Sequence, residues 1–186
     1  VVLATSSNDL DTTIDEAFSD TMVNVLRSHP NAVYLLIGEG DLSWQKRKFE
    51  SAGVGKRVGY AGKRKDMPGF LRIADIYLSE FNTSATAGVL QAMSIEKPVV
   101  AMARNEIGRT NPASEFVGEE GSVTGDANVY IERVSKLIRD GNYRKTLGKS
   151  LRQRLEQSFG YNQTVRTLEE IIAAMPSGAH EHQPFS

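Results

Sequence analysis

Phe70–Met102 reads FLRIADIYLSEFNTSATAGVLQAMSIEKPVVAM. Two apolar runs inside it, Ile73–Leu78 and Pro98–Met102, have the length and composition of buried parallel strands. Between them Asn82–Ala87 is a run of small and hydroxyl-bearing residues that opens a helix ending near Ile95. The first N–H groups of a helix have no intrahelical partner. A loop of this kind turns them, with its hydroxyls, towards one point that suits a phosphate.

Working outward, the same alternation continues on both sides. Val1–Thr5 is a short buried strand ending in the polar turn Ser6–Asp9. Asp11-Thr12-Thr13 are expected to cap a helix whose apolar positions Ile14, Phe18, Met22, Val25 and Leu26 recur at helical spacing. His29-Pro30-Asn31 stops it. Ala32–Ile37 is a second strand, Gly38-Glu39-Gly40 its exit turn, and Asp41–Ala52 a polar helix. Arg57–Ala61 is a third strand, and Lys63-Arg64-Lys65 leads into a helix over Met67–Ile73. Beyond Met102 follow a loop to Asn111, a short helix at Pro112–Phe116 and a last strand at Gly121–Thr124. A helical tail comes next: Ala127–Arg139, a break at Gly141-Asn142, Tyr143–Ser158, and a final helix to about Ala174. The pattern predicts an α/β fold: a Rossmann-like, doubly wound, mostly parallel sheet of about six strands with helices on both faces. Ligands of such sheets bind beyond the carboxyl ends of the strands. The loops at Ser6–Asp9, Gly38–Asp41, Gly62–Lys65, Phe81–Ala87 and Ala103–Arg109 share that edge.

The chain has 186 residues, 40% hydrophobic and 24% charged, enough for one well-filled domain over residues 1–174 with a loose tail over 175–186. A net charge of −1 gives no electrostatic footprint for nucleic acid. The absence of cysteine removes disulfide and thiol chemistry and fits a reducing, cytoplasmic compartment. His29 abuts a proline and His180 and His182 lie in the tail, so no histidine-centred catalysis or metal site is expected. The start at Val1, already strand-like and without Met, suggests a fragment of a longer protein.

The ordered motifs resemble a known family. HPNAVYLLIGEGD (29–41), RVGYAGKRKDMPGFLRIADIYLSE (57–80), GVLQAMSIEKPVVAM (88–102) and the region from Ser114 to Ile171 run in the order seen in the C-terminal, donor-binding domain of group 1 glycosyltransferases of the GT-B fold. The resemblance implies one of two Rossmann-like domains facing each other across a cleft. The partners it implies are a nucleotide-diphospho-sugar, an N-terminal acceptor domain absent here, and a lipid-linked or glycan acceptor. It implies a hexosyltransferase-type activity, little turnover by this half alone, and no cofactor or metal beyond the donor substrate. Lipid-linked acceptors would also fit a peripheral position at the inner membrane surface. The tail's basic residues, Arg133 to Arg166, are nevertheless read as solvated helix faces, because acidic residues are interspersed.

On that resemblance Asn82, Thr83, Ser84, Ala85, Thr86 and Ala87 form the diphosphate cradle. Gln91 stands where the family has a Glu that accepts hydrogen bonds from the ribose hydroxyls, a role that its amide only partly retains. Thr83 stands where retaining members have a second Glu that touches the transferred sugar. The nearest carboxylate is Glu80, a weak catalytic candidate whose plainer reading is a strand-end residue in solvent. Lys63 and Arg64 are expected beside the nucleobase, or else to form a solvated basic turn. Gly38 and Gly40 are expected to make a tight turn that leaves the donor edge open; without a third glycine they are not a dinucleotide fingerprint. The family's Arg and Lys after the first strand are missing from Ser6–Asp11. Two alternatives stand beside the transferase reading: a degenerate domain kept as a scaffold or subunit, and half of a sugar-nucleotide epimerase.

Overall fold

A computed structural model describes residues 1–81, 86–103, 110–124, 126–160 and 170. β1 (Val2–Ser7) leads through a single helical turn, α1 (Leu10–Thr13), into α2 (Glu16–Ser28). β2 (Val33–Gly38), α3 (Ser43–Ser51) and β3 (Val58–Tyr60) follow, then α4 (Met67–Leu71), β4 (Ile76–Leu78) and α5 (Ala87–Ser94). β5 (Val99–Met102), α6 (Pro112–Gly121) and β6 (Ser122–Val123) complete the sheet, and α7 (Ala127–Arg139) and α8 (Gly141–Phe159) close the chain. The six strands lie in the order β3-β2-β1-β4-β5-β6 with every pairing parallel. Right-handed crossovers place α2 and α3 on one face and α4, α5 and α6 on the other. α7 then packs beside α2, and α8 against α5 and α6.

The strands are buried through most of their length because helices cover both faces. Leu3, Ala4, Leu36, Ile37, Ile76, Leu78, Val99, Val100 and Ala101 are all fully inaccessible. Under α2 and α7 an aromatic cluster fills the layer: the rings of Phe18, Phe81 and Tyr130 meet edge to face at 5.1–6.2 Å. Tyr130 also donates to the carbonyls of Ser79 and Val100, tying α7 to β4 and β5.

Several element limits differ from those the sequence suggests. The cap of α2 is Asp15, which accepts from Phe18 N at 2.8 Å, rather than Asp11–Thr13. The buried Ile14 sits between two helical pieces and turns the chain there. Ile73 lies in a turn and is 59% exposed; β4 begins three residues later, after Asp75 has paired with both N–H and C=O of Val2. α6 continues past Phe116 to Gly121 across a kink at Gly118, whose φ of 60° only glycine adopts without strain. Gly141-Asn142 is the first turn of α8, because Asp140 accepts from the N–H groups of Asn142 and Tyr143. The expected helix after Gly160 lies outside the described residues apart from Glu170. Among the described residues no helix is long and apolar enough to cross a membrane.

The basic residues of α8 are largely committed to the fold. Arg144 donates to the carbonyls of Leu137 and Ile138, Arg154 to those of Glu115 and Phe116, and Arg152 to that of Ser94 and to Glu156. Each arginine thereby ties α8 to carbonyls of a different helix, α7, α6 and α5. Gly148 lets α8 lie against the turn before β5: a Cβ there would overlap the carbonyl oxygen of Glu96 and approach Pro98 N at 3.4 Å. Glu96 itself has φ 59°, so this turn has little freedom to retreat. Gly148→Ala is therefore expected to lower stability by about 1–3 kcal/mol. Urea denaturation should show a lower midpoint with an unchanged slope, and an unaltered midpoint would contradict the close approach.

Candidate functional site

β1 and β4 are neighbours whose onward connections leave in opposite directions, so the sheet has its topological switch point between their carboxyl ends. A cleft of about 270 Å³ opens there. Ser6, Ser7 and Asn8 line it from the end of β1; Arg64, Lys65 and Met67 from the β3–α4 connection; and Ala87, Gly88 and Gln91 from α5. A groove of 610 Å³ between α6 and α8 is larger but lies away from this edge. Its cation, Arg154, is already bonded to the carbonyls of α6.

A short hydrogen-bonded unit forms the floor of the cleft. Tyr77 Oη donates to Ser6 O at 3.2 Å and lies 3.0 Å from Ser6 Oγ. Burial pushes the Tyr77 phenol far above its ordinary range, and the nearby Glu80 adds to the shift, so the phenol keeps its proton. Gly88 rests directly on this unit; a Cβ at position 88 would overlap both Tyr77 Oη and Ser6 Oγ. α5 therefore brings its first turn onto the β1–β4 seam because residue 88 has no side chain. Among the described residues that first turn has no side-chain cap and no acidic residue, so the positive end of its helix dipole is turned to the cleft without a carboxylate beside it. Gln91, three residues on and half-buried, faces the same cleft.

Other residues singled out in the sequence have different surroundings. Asn82, Thr83, Ser84 and Ala85 lie outside the described residues, as do residues 104–109 of the loop after β5. Thr86 and Ala87 are at the start of α5, and Ala87 lines the cleft. Arg64 lines the cleft with its guanidinium 4.6 Å above the Phe70 ring. Lys63 turns away and pairs with Glu39 at 2.9 Å in solvent. Gly38 and Gly40 are outside the cleft wall and hold the β2 exit against the β1 exit. Their φ values are 152° and 134°, and a Cβ at either would meet Ser7 O or Asp11.

Glu80 is 1% exposed, not a strand-end residue in solvent, and it is absent from the lining of the cleft. Its Oε1 has no hydrogen-bond partner. Tyr34, Tyr77 and Tyr130 are within its electrostatic reach. Burial pushes its carboxyl up to about 8, opposed by its own backbone N–H. Its main chain anchors the next element, since Asn111 Nδ2 donates to Glu80 O at 2.9 Å while Asn111 Oδ1 caps α6 at Ala113 N. Sequence reasoning missed Tyr77 as part of the site. The available signal was a phenol inside an otherwise aliphatic strand, which demands a polar partner at the strand's end.

Comparisons with known proteins follow the same outline. The family model described as "Glycosyl transferases group 1" matches residues 15–140. No curated protein matches the chain by sequence. Among solved structures, Anabaena Alr3699/HepE in complex with UDP and glucose is similar with a TM-score of 0.74 at 16% identity, covering 94% of this chain and 48% of that one. The Thermobaculum terrenum O-GlcNAc transferase reaches a TM-score of 0.76 at 23% identity, over 92% and 35% of the two chains. The C-terminal domain of a Francisella tularensis glycosyl transferase group 1 family protein, LpcC, matches over 86% of this chain and 87% of its own, with a TM-score of 0.70 at 17% identity. The chain thus spans less than half the length of the two larger proteins and nearly all of the single domain.

The raised Glu80 carboxyl has a measurable consequence. Above pH 4.5 the unfolded chain loses this proton, while the folded protein keeps it up to about pH 8. The folded state therefore binds more protons in that window, and this group's contribution to stability falls as pH rises. Glu80→Gln is expected to remove the slope, with the variant gaining on the wild type by up to about 1.4 kcal/mol per pH unit. Parallel stability curves for the two proteins across the window would rule this out.

Proposed function

The chain belongs to the group 1 glycosyl transferases, and from that premise we propose that it is the donor-binding half of such an enzyme. In this reading the cleft between β1 and β4 takes the nucleoside diphosphate of a nucleotide sugar. The observation that carries the reading is the first turn of α5, laid by Gly88 onto the switch point with Gln91 on the same face and with no side-chain cap among the described residues. Its N–H groups are suited to a diphosphate, and Gln91 to a ribose hydroxyl. The acceptor, a glycan or lipid-linked alcohol, would be held by a separate N-terminal domain. This half's contribution to transfer would be electrostatic support of the departing diphosphate.

A second reading, a domain that keeps the fold as a scaffold or subunit, is favoured by one feature: no carboxylate lines the cleft among the described residues. The same feature argues against half of an epimerase, whose chemistry needs an acid or base there.

Titration of the labelled chain with UDP, GDP and ADP and their sugars, followed by amide shifts, tests the reading. Perturbations are expected at Ser6–Asn8, Arg64–Met67 and Ala87–Gln91; silence at millimolar nucleotide would sink it. Gln91→Glu offers a finer check. A carboxylate can accept from both ribose hydroxyls, so nucleoside affinity is expected to rise by roughly tenfold. Unchanged affinity would remove Gln91 from the ribose.

A further inference from the structure

The cleft has an unequal distribution of charge between its two walls. On the β1 side it presents only Ser6, Ser7 and Asn8. Ser6 Oγ is engaged with Tyr77, and Ser7 Oγ accepts from the N–H of Asp9. Immediately beyond are acids, not bases. Asp9 and Asp11 lie close enough that Asp9 holds the Asp11 carboxyl above its ordinary range, chiefly through a shared hydrogen bond. An anion entering from this side meets neutral groups and then negative charge.

The opposite wall differs. Arg64 and Lys65, on the connection from β3 to α4, are the cations that line the cleft among the described residues. Their neighbour Lys63 is taken up by Glu39, and no such pair is found for Arg64 or Lys65 among the described residues. Arg64 is nevertheless held in place, because its guanidinium stacks on Phe70 at 4.6 Å. Stacking occupies the face of the guanidinium and leaves its in-plane N–H donors free for an anion. Asp66, the next residue, is committed to the N–H of Gly69 at the start of α4.

We propose that Arg64 and Lys65 are the diphosphate-neutralising residues of this protein, facing the first turn of α5 across the cleft. The positive charge that the resemblance leads one to expect after β1 is thus supplied from the connection after β3. The proposal rests on the donor-binding reading and makes it more specific. The pair recognises the nucleoside diphosphate portion of the ligand, not its base or ribose, and supports the same charge as it grows on the leaving group.

The experiment compares UDP with uridine on the 186-residue chain, by calorimetry or amide shifts. Three proteins are used: wild type, the double variant Arg64→Gln/Lys65→Gln, and the charge-matched control Lys145→Gln/Lys149→Gln. The control removes two exposed cations from α8, away from the cleft. Thermal unfolding checks that each remains folded. The double variant is expected to lose UDP affinity by about tenfold or more while uridine affinity stays within about twofold, and the control to change neither. Its UDP affinity should also depend less steeply on salt than that of the wild type. Equal UDP affinity in the double variant and the wild type would overturn the proposal. So would an equal loss for uridine and UDP, which would place the pair at the nucleoside. Where wild type binds GDP or ADP instead, the same comparison is made with that nucleotide and its nucleoside; wild type that binds none of the three would remove the donor-binding reading itself, and with it the proposal.

Discussion

The contact between Tyr77 and Ser6 is the constraint on which the site depends. β1 and β4 are adjacent but far apart in sequence, and their helices leave on opposite faces of the sheet. Something must hold their exits together where the ladder ends and the connections diverge. The Tyr77 phenol does this with one bond to the Ser6 carbonyl and another contact to the Ser6 hydroxyl, both buried. Because the pair is fully desolvated, breaking it would leave unpaired polar atoms in the core. Gly88 then converts this seam into a platform for the first turn of α5. Strand pairing, a phenol and an absent side chain together fix where that helix terminus points.

The outer layer is organised around helix ends. α8 runs across one face and sends Arg144, Arg152 and Arg154 to carbonyls of α7, α5 and α6. An arginine fork suits these carbonyls because it offers several donors in one plane. Gly148 allows α8 close enough to the turn before β5 for Arg152 to reach Ser94. Since α5 presents its first turn to the cleft at its other end, α8 steadies the cleft-facing helix from behind. Charge that looks like a membrane- or solvent-facing stripe in the sequence is, for these three residues, structural.

Much of the architecture was legible because burial on both faces forces parallel strands to be continuous apolar runs. Val33–Gly38 and Val99–Met102 stand out for that reason, and the helix between β4 and β5 was readable from its small-residue entry. Limits set by side chains acting at a distance were not legible. Ile73 has strand-like chemistry, yet Asp75 makes the first bonds to β1, so the strand starts beyond it. Gly141-Asn142 looks like a break, but the Asp140 carboxylate caps both N–H groups and makes it a helix start. Gln91 and Arg64 could be placed at the site from their positions after strands. The pairing of Lys63 with Glu39 could not, since it joins two loops brought together only by the β2–β3 register.

Glu80 shows how the fold limits the chemistry available to the cleft. It is the nearest carboxylate in sequence to the position where a sugar-contacting acid was expected, and a small shift of the loop would have sufficed to present it. Instead it points into a dry layer with Tyr34 and Tyr130 nearby and one oxygen unbonded. Its charged form is disfavoured there, and its main chain is fixed by Asn111, which also caps α6. With this acid buried in the core, the described wall of the cleft offers a helix terminus, two serines, two amides and two cations. Such a set suits negative charge, and among the described residues it lacks the carboxylate that would serve a sugar as nucleophile or base.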